Sequence, residues 1–390
     1  MTSAAQPDDP RGARGRASAF VVGTGVVGGA LIDLLAPRGA RDDGGASSGR
    51  ADDGAAGGAP PIRIVGVANR RALAIAAPAG EALSRRAIDA VAAAAPGGGA
   101  TSIDDALLDR LAACPSPVLV DATADDRMED LYVRAFARGV SVVTANKKPL
   151  VCAWPSRARL FAAMGARGAR FGYEATVGAG MAVIETVRRL LREGDAVRRV
   201  DCVLSGTLAF LSRELGSGTK LSRAVAIARE RGFTEPDPRE DLRGTDVARK
   251  LTIVARELGA PFDVDDVALA PFVPEEALAA AGADGLAAAL ARLDGATAAR
   301  VAELAPRGEQ LVYLARIDVD VDSGAIRASA GPAAVPAAHP AVAVAGSSAM
   351  AAFTTARHDR EPLVLRRAGS GGRVTATAMI ADVLRVVAPR

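Results

Sequence analysis

S-A-F-V-V-G-T-G-V-V-G-G-A-L-I-D-L-L-A, residues 18–36, decides the fold. A short apolar run meets Gly23, Gly25 and Gly28, spaced G-x-G-x-x-G, and a helical pattern follows. Gly23 permits a tight turn, Gly25 lets the backbone approach a pyrophosphate, and Gly28 lets helix and strand pack closely. An anion held there meets the amide donors and the dipole of a helix N-terminus. The spacing alone is a weak signal, and a glycine turn without ligand is the competing reading. The strand–turn–helix context makes a dinucleotide the expected ligand, with Val27 beside the glycines.

Outward from this stretch, apolar runs recur at I-R-I-V-G-V-A (62–68), P-V-L-V-D-A (117–122) and V-S-V-V-T-A (140–145), with helical stretches between them. Strands alternating with helices predict a parallel sheet covered on both faces. The expected first domain is a Rossmann-type dinucleotide-binding unit over 18–150. Residues 1–17 read as a disordered tail, and the Gly/Asp/Ala stretch 37–61 as a flexible loop.

After residue 151 helices are predicted near 155–169, 180–193, 219–231 and 245–258. Alternating strands follow at 311–321, 325–330, 341–345, 351–357 and 362–367. This predicts a second α+β domain with a mixed sheet over 151–373. A final helix, 374–388, is expected to pack back on the first domain. The alanine-rich stretches 86–95 and 277–300 carry helical period.

A net charge of +3 and the absence of basic blocks interleaved with aromatics argue against a nucleic-acid partner. No apolar run reaches membrane-spanning length, so no membrane partner is expected. Cys114, Cys152 and Cys202 are isolated and match no metal spacing or disulfide framework, which points to the cytoplasm.

Lysine use marks the chemistry. Of 48 lysines and arginines only four are lysines: Lys147, Lys148, Lys220 and Lys250. A lysine in such a chain marks a place that wants a compact ammonium rather than a planar guanidinium. Lys147 and Lys148 lie in T-A-N-K-K-P-L (144–150), at the C-terminal end of a predicted strand, where open α/β sheets bind ligands. Lys250 closes G-F-T-E-P-D-P-R-E-D-L-R-G-T-D-V-A-R-K (232–250). There Pro236 and Pro238 predict an extended loop, and Asp246 and Lys250 are four apart on the helix behind it. Its carboxylates can hold a substrate ammonium, and its lysine can protonate a carbonyl oxygen. A solvated acidic loop with an ordinary helical ion pair is the bland alternative.

Three further segments are weaker alone. F-G-Y-E-A-T-V-G-A-G-M (171–181) offers backbone carbonyls and Glu174 to a hard cation. L-S-G-T-L (204–208) offers Gly206 and Thr207. R-R-A-G-S-G-G-R-V-T-A (366–376) is a second glycine loop before a helix.

Taken together and in this order, these segments resemble homoserine dehydrogenase over roughly residues 18–388, in a form without an aspartate kinase domain. The resemblance implies NADP- or NAD-dependent interconversion of L-aspartate 4-semialdehyde and L-homoserine, on the route to threonine, methionine and isoleucine. It implies that Lys250 and Lys147 act at the reacting carbonyl with Asp246 as a further catalytic residue. Glu235, Asp241, Gly206, Thr207 and Phe233 would bind substrate. Thr123, Lys147 and Gly371 would contact the cofactor. Glu174 and the carbonyls of Val177, Ala179 and Met181 would hold a monovalent cation such as sodium. The second domain's sheet would form a homodimer or homotetramer interface. Phe233 departs from the family's usual tyrosine, and Gly371 lies in a loop unlike the common G-A-G.

Arg70 and Arg71 follow the second strand, where an NAD site usually has a carboxylate and an arginine accommodates a 2′-phosphate, so NADP is the expected preference. Two other readings stand beside this one: a dehydrogenase of another small amino-aldehyde or hydroxy acid, and a non-catalytic ligand sensor. Thioester chemistry would need an activated cysteine, and none of the three lies in a motif.

Overall fold

The computed structural model describes residues 17–38, 61–95, 102–165, 167–344, 348–369 and 371–389. The expected tail up to residue 16 and nearly all of the 37–61 loop lie outside them. The chain divides into two compact units. The first comprises Met1–Pro149, Pro155–Tyr173 and Thr375–Arg390, and the second Leu150–Trp154 and Glu174–Val374.

The first unit is built on β1 (Ala17–Val22), β2 (Ile62–Ala68), β3 (Leu73–Ile75), β4 (Pro117–Asp121), β5 (Ser141–Thr144) and β6 (Phe171–Gly172). They form one sheet in the order β3-β2-β1-β4-β5-β6. β1 is buried along its whole length, as a continuous apolar run in a covered parallel sheet must be. All pairings are parallel except β2–β3. That reversal was not foreseen. It is made by the Asn69 side chain, whose Oδ1 accepts the N–H groups of Arg71 and Ala72 at 2.8 and 3.0 Å, an Asx turn.

The unit boundary differs from the one expected at residue 150. β6 extends the first sheet beside β5, so the helix Trp154–Gly165 largely belongs to the first unit. A two-residue strand is too short to leave an alternation in the sequence. Its Phe171 explains the attachment: the ring meets Tyr132 and Phe136 edge-on at 5.6 and 5.5 Å, and Tyr173 at 4.8 Å. The last helix, Gly372–Val387, joins this unit from Thr375 onward. Arg170 Nη1 donates to the carbonyls of Arg385 and Ala388 at 3.2 and 2.7 Å and holds its C-terminus.

The second unit carries β7 (Val197–Val203), β8 (Val267–Leu269), β9 (Glu309–Val319), β10 (Ile326–Pro336), β11 (Ser348–Thr355) and β12 (Leu363–Ala368). Their order is β12-β11-β7-β9-β10-β8, antiparallel except where β8 joins β10 in parallel, which makes the sheet mixed. One expected strand is absent. Residues 340–343 form a 3-10 turn, because Pro340 takes its first position and His339 Nδ1 accepts the Ala341 N–H at 3.2 Å. Alternating alanine and valine imitated a strand there. Among the described residues no helix is long and apolar enough to cross a membrane.

Candidate functional site

In the first unit the glycine turn is sterically determined. Gly23 has φ +99°, and a Cβ there would stand 2.9 Å from the Ala122 carbonyl oxygen. A Cβ on Gly28 would stand 1.9 Å from the Gly23 carbonyl oxygen. Neither position admits a side chain. Gly25 differs: a Cβ there would meet nothing within 4 Å. It is the N-cap of the helix Val26–Leu35 and offers no side chain to cap it. The first amides of that helix therefore need another acceptor, and a pyrophosphate oxygen suits them. Val27, half-buried, follows in the first turn. The cradle fits a dinucleotide.

Asn69 ties this turn to the end of β2. Its Nδ2 donates to Thr24 Oγ1 at 3.1 Å and to the Val91 carbonyl at 2.7 Å. Arg71 Nη1 is held by the Ala94 carbonyl at 3.1 Å, whereas Arg70 stands exposed beside it. Thr123 and Lys147 leave the sheet from the C-terminal ends of β4 and β5, adjacent strands. The Thr123 N–H donates to Asp121 Oδ1 at 2.7 Å, and Asn146 Oδ1 accepts the Lys148 N–H at 3.1 Å.

In the second unit the acidic run and L-S-G-T-L come together. Ser205 caps the helix Gly206–Gly216, its Oγ accepting the Leu208 N–H at 3.2 Å. Gly206 and Thr207 thereby occupy the first turn. The Thr207 hydroxyl is within donating reach of the Phe233 carbonyl and lies 3.1 Å from Asp241 Oδ1. Asp241 Oδ2 accepts the Glu235 N–H at 2.8 Å. Burial pushes the Asp241 carboxyl above its ordinary range; the Glu235 N–H and the Thr207 hydroxyl pull it back, and the Glu235 and Asp246 carboxylates push it further up. Phe233 takes part through its carbonyl. Its ring is 39% exposed and meets Phe210 at 5.2 Å.

The T-E-P-D-P segment is not extended to its end, contrary to expectation. Pro238 opens a short helix, Pro238–Arg243, with Asp237 as N-cap accepting the Arg239 N–H at 3.1 Å. Proline is suited to a first helical position because its missing N–H would be unpaired there anyway. Gly244, φ +75°, then joins this helix to Thr245–Glu257. Asp246 sits in the first turn of that helix. Lys250 Nζ lies 2.9 Å from Asp246 Oδ2 and donates to the Leu204 carbonyl at 2.7 Å. The Lys250 side chain is 12% exposed.

Glu174 is buried, and its two carboxylate oxygens accept the Ile184 and Glu185 N–H groups, each at 2.8 Å. It thus caps the helix Val183–Arg192, a role the sequence did not reveal. Val177, Ala179 and Met181 lie in the tight turns just before it, with Gly178, Ala179 and Ala182 at φ +67°, +46° and +58°. Non-glycine residues in that region are strained, and such strain gathers at ligand sites. Among the described residues no three His, Cys, Asp or Glu side chains gather as metal ligands. One carboxylate with backbone carbonyls offers oxygen ligands of the kind a hard cation takes. Gly371, φ +112°, stands before the last helix. Cys114 and Cys202 are buried, and burial pushes both thiols up, away from the thiolate that acyl-thioester chemistry needs.

A family model described as homoserine dehydrogenase matches residues 183–384, and one described as homoserine dehydrogenase, NAD binding domain, matches residues 23–174. A homoserine dehydrogenase of Emericella nidulans is 36% identical over 297 residues, covering 73% of this chain and 79% of that protein. The chloroplastic bifunctional aspartokinase/homoserine dehydrogenase 2 of Zea mays is 36% identical over 272 residues. That match takes in 70% of this chain and only 29% of the maize protein. A hyperthermophilic archaeal homoserine dehydrogenase solved in complex with NADPH shares the fold, with a TM-score of 0.66 at 20% identity, over 95% of this chain and 97% of that one.

Proposed function

The chain belongs to the homoserine dehydrogenase family, and we propose that it interconverts L-homoserine and L-aspartate 4-semialdehyde with NADP or NAD. The observation that carries this reading is Lys250, held between Asp246 Oδ2 and the Leu204 carbonyl. An ammonium has three N–H donors. Those two acceptors take two, which leaves one for the oxygen of the reacting carbonyl. Bound nicotinamide supplies the hydride in reduction and takes it in oxidation. In reduction the aldehyde oxygen gains negative charge, and Lys250 stabilises it and gives it a proton. In oxidation the same amine receives the hydroxyl proton. Asp246 orients Lys250.

Glu235 and Asp241 hold the substrate ammonium, with Gly206, Thr207 and the Phe233 carbonyl beside them. Burial favours the neutral form of Asp241. A cationic substrate restores its charge. Gly23, Gly25, Val27, Gly28, Arg70, Thr123, Lys147 and Gly371 serve the cofactor, and Lys147 also assists at the carbonyl. Glu174 and the carbonyls of Val177, Ala179 and Met181 hold a sodium-like cation that stiffens the turn. The protein works in the cytoplasm as a homodimer or homotetramer, a reading supported by its isolated cysteines and by the family resemblance of its second sheet.

The test is consumption of NADPH by the purified chain on addition of L-aspartate 4-semialdehyde, with homoserine identified as product. No consumption, or a product without the amino group, would overturn the proposal.

A further inference from the structure

Asp121 ends β4 and Thr144 ends β5, and the two are register partners. Both are fully buried. Tyr132, from the helix Met128–Phe136, reaches both: its hydroxyl bonds Asp121 Oδ2 and lies 2.9 Å from Thr144 Oγ1. The Asn146 N–H donates to Thr144 Oγ1 at 2.9 Å, and Asn146 Nδ2 donates to Asp121 Oδ2 at 3.2 Å and to the Asp125 carbonyl at 2.6 Å. Asp121 Oδ1 takes the Thr123 N–H at 2.7 Å. One buried carboxylate thus gathers donors from both loops that leave the sheet here.

The proton order follows from counting donors. Tyr132 has a single proton, and its gift to Asp121 leaves its oxygen to accept from the Thr144 hydroxyl. Asn146 then donates to Thr144, so the chain runs Asn146 to Thr144 to Tyr132 to Asp121. Every group facing the carboxylate is a donor, which suits the anion, while burial opposes it. Such a group is a poor device for stability, because an apolar filling of equal volume would avoid its desolvation. What it does supply is direction. It sets the course of the loop carrying Thr123 and of the loop carrying Asn146 and Lys147. The Gly23 turn abuts the same place, since Ala122, between Asp121 and Thr123, is the neighbour that forbids a side chain at Gly23.

We infer that the Asp121–Tyr132–Thr144 network is the positioning element of the dinucleotide site, with Tyr132 a positioning residue that acts through Thr123 and Asn146. The inference rests on reading the first unit as the cofactor site. The experiment uses the full chain. Dissociation constants for NADPH are measured by its fluorescence for the unmutated protein, Tyr132→Phe, Thr144→Val and Thr144→Ser. Homoserine KM is measured at saturating cofactor, and circular dichroism melting establishes which variants are folded.

Tyr132→Phe and Thr144→Val are expected to weaken NADPH binding by about tenfold, the scale of a hydrogen bond to a charged group. Thr144→Ser restores what Thr144→Val loses, and homoserine KM stays within about twofold in each, as a loss confined to cofactor binding requires. A folded Tyr132→Phe that binds NADPH like the unmutated protein would overturn the inference. So would equal losses toward cofactor and homoserine. Should Tyr132→Phe not fold, the Thr144→Val and Thr144→Ser pair decides: equal affinities overturn it. Failure of the unmutated protein to bind any nicotinamide dinucleotide would instead strike the cofactor reading itself.

Discussion

Lys250 Nζ lies 2.9 Å from Asp246 Oδ2, one helical turn apart on the same face, and the lysine side chain is 12% exposed while that of the aspartate is 51% exposed. A pair made for stability alone would be worth only about 0.3–0.5 kcal/mol in such a position. The partly buried ammonium's second bond, to the Leu204 carbonyl, points instead to work on a ligand.

Lys250→Arg is expected to fold and to lose activity. A guanidinium keeps its proton at any working pH and is bulkier than the ammonium it replaces. Loss of a positioned proton donor costs on the order of 10²–10⁴ in kcat. Stopped-flow and steady-state rates beside a melting curve check this. Near-native turnover would remove Lys250 from the chemistry.

Asp246→Ala is expected to lower kcat by roughly tenfold to a hundredfold, since Lys250 keeps only its Leu204 partner and is less well aimed. Melting temperature should barely move, given the small worth of an i,i+4 pair whose aspartate is half exposed. A change in stability with unaltered kinetics would assign the pair to the helix surface.

Asp241→Asn tests the substrate-binding carboxylate through pH. The folded-state carboxyl titrates above the unfolded one because of burial. Below the unfolded value of about 3.9 both states hold the proton and the group has no effect. As pH rises the unfolded state releases its proton first, so ionisation costs stability from there up through the folded value. The variant lacks this loss. Its melting temperature relative to the unmutated protein is therefore expected to rise as pH climbs from about 4 through the folded-state value, whatever the offset from the altered hydrogen bonds. Homoserine KM should rise as well. A pH-independent difference would show that Asp241 titrates normally.

Arg70→Ala is expected to lower kcat/KM for NADP by about tenfold, the scale of a charge-assisted phosphate contact, and to leave NAD nearly unchanged. Arg71→Ala should do much less, because Arg71 is already engaged by the Ala94 carbonyl. Equal effects on both cofactors would mean that Arg70 does not meet a 2′-phosphate.

The glycine turn and the lysine-bearing loops were legible in the sequence because each depends on a local pattern: a strand, a glycine spacing, a rare residue. The pairing of Asp246 with Lys250 followed from helical periodicity alone. What escaped depends on tertiary contact. Thr207 meets Asp241 across 34 positions, and Asn69 reaches Val91 across 22. No spacing rule encodes either. Glu174 was read for a cation, and its capping of the helix Val183–Arg192 emerged only from the fold. Pro238 shows the opposite error, where a breaker in the interior of a helix is a starter at its first residue.

The most direct test of the central claim is the rate at which the purified chain reduces NADP when given L-homoserine, set beside the rate with 4-hydroxybutyrate, which keeps the hydroxyl and lacks the amine. The expected result is saturable reduction with L-homoserine and kcat/KM lower by at least about a hundredfold without the amine, because Glu235 and Asp241 would be left facing no cation. Equal rates with both alcohols, or no reduction with L-homoserine, would contradict it.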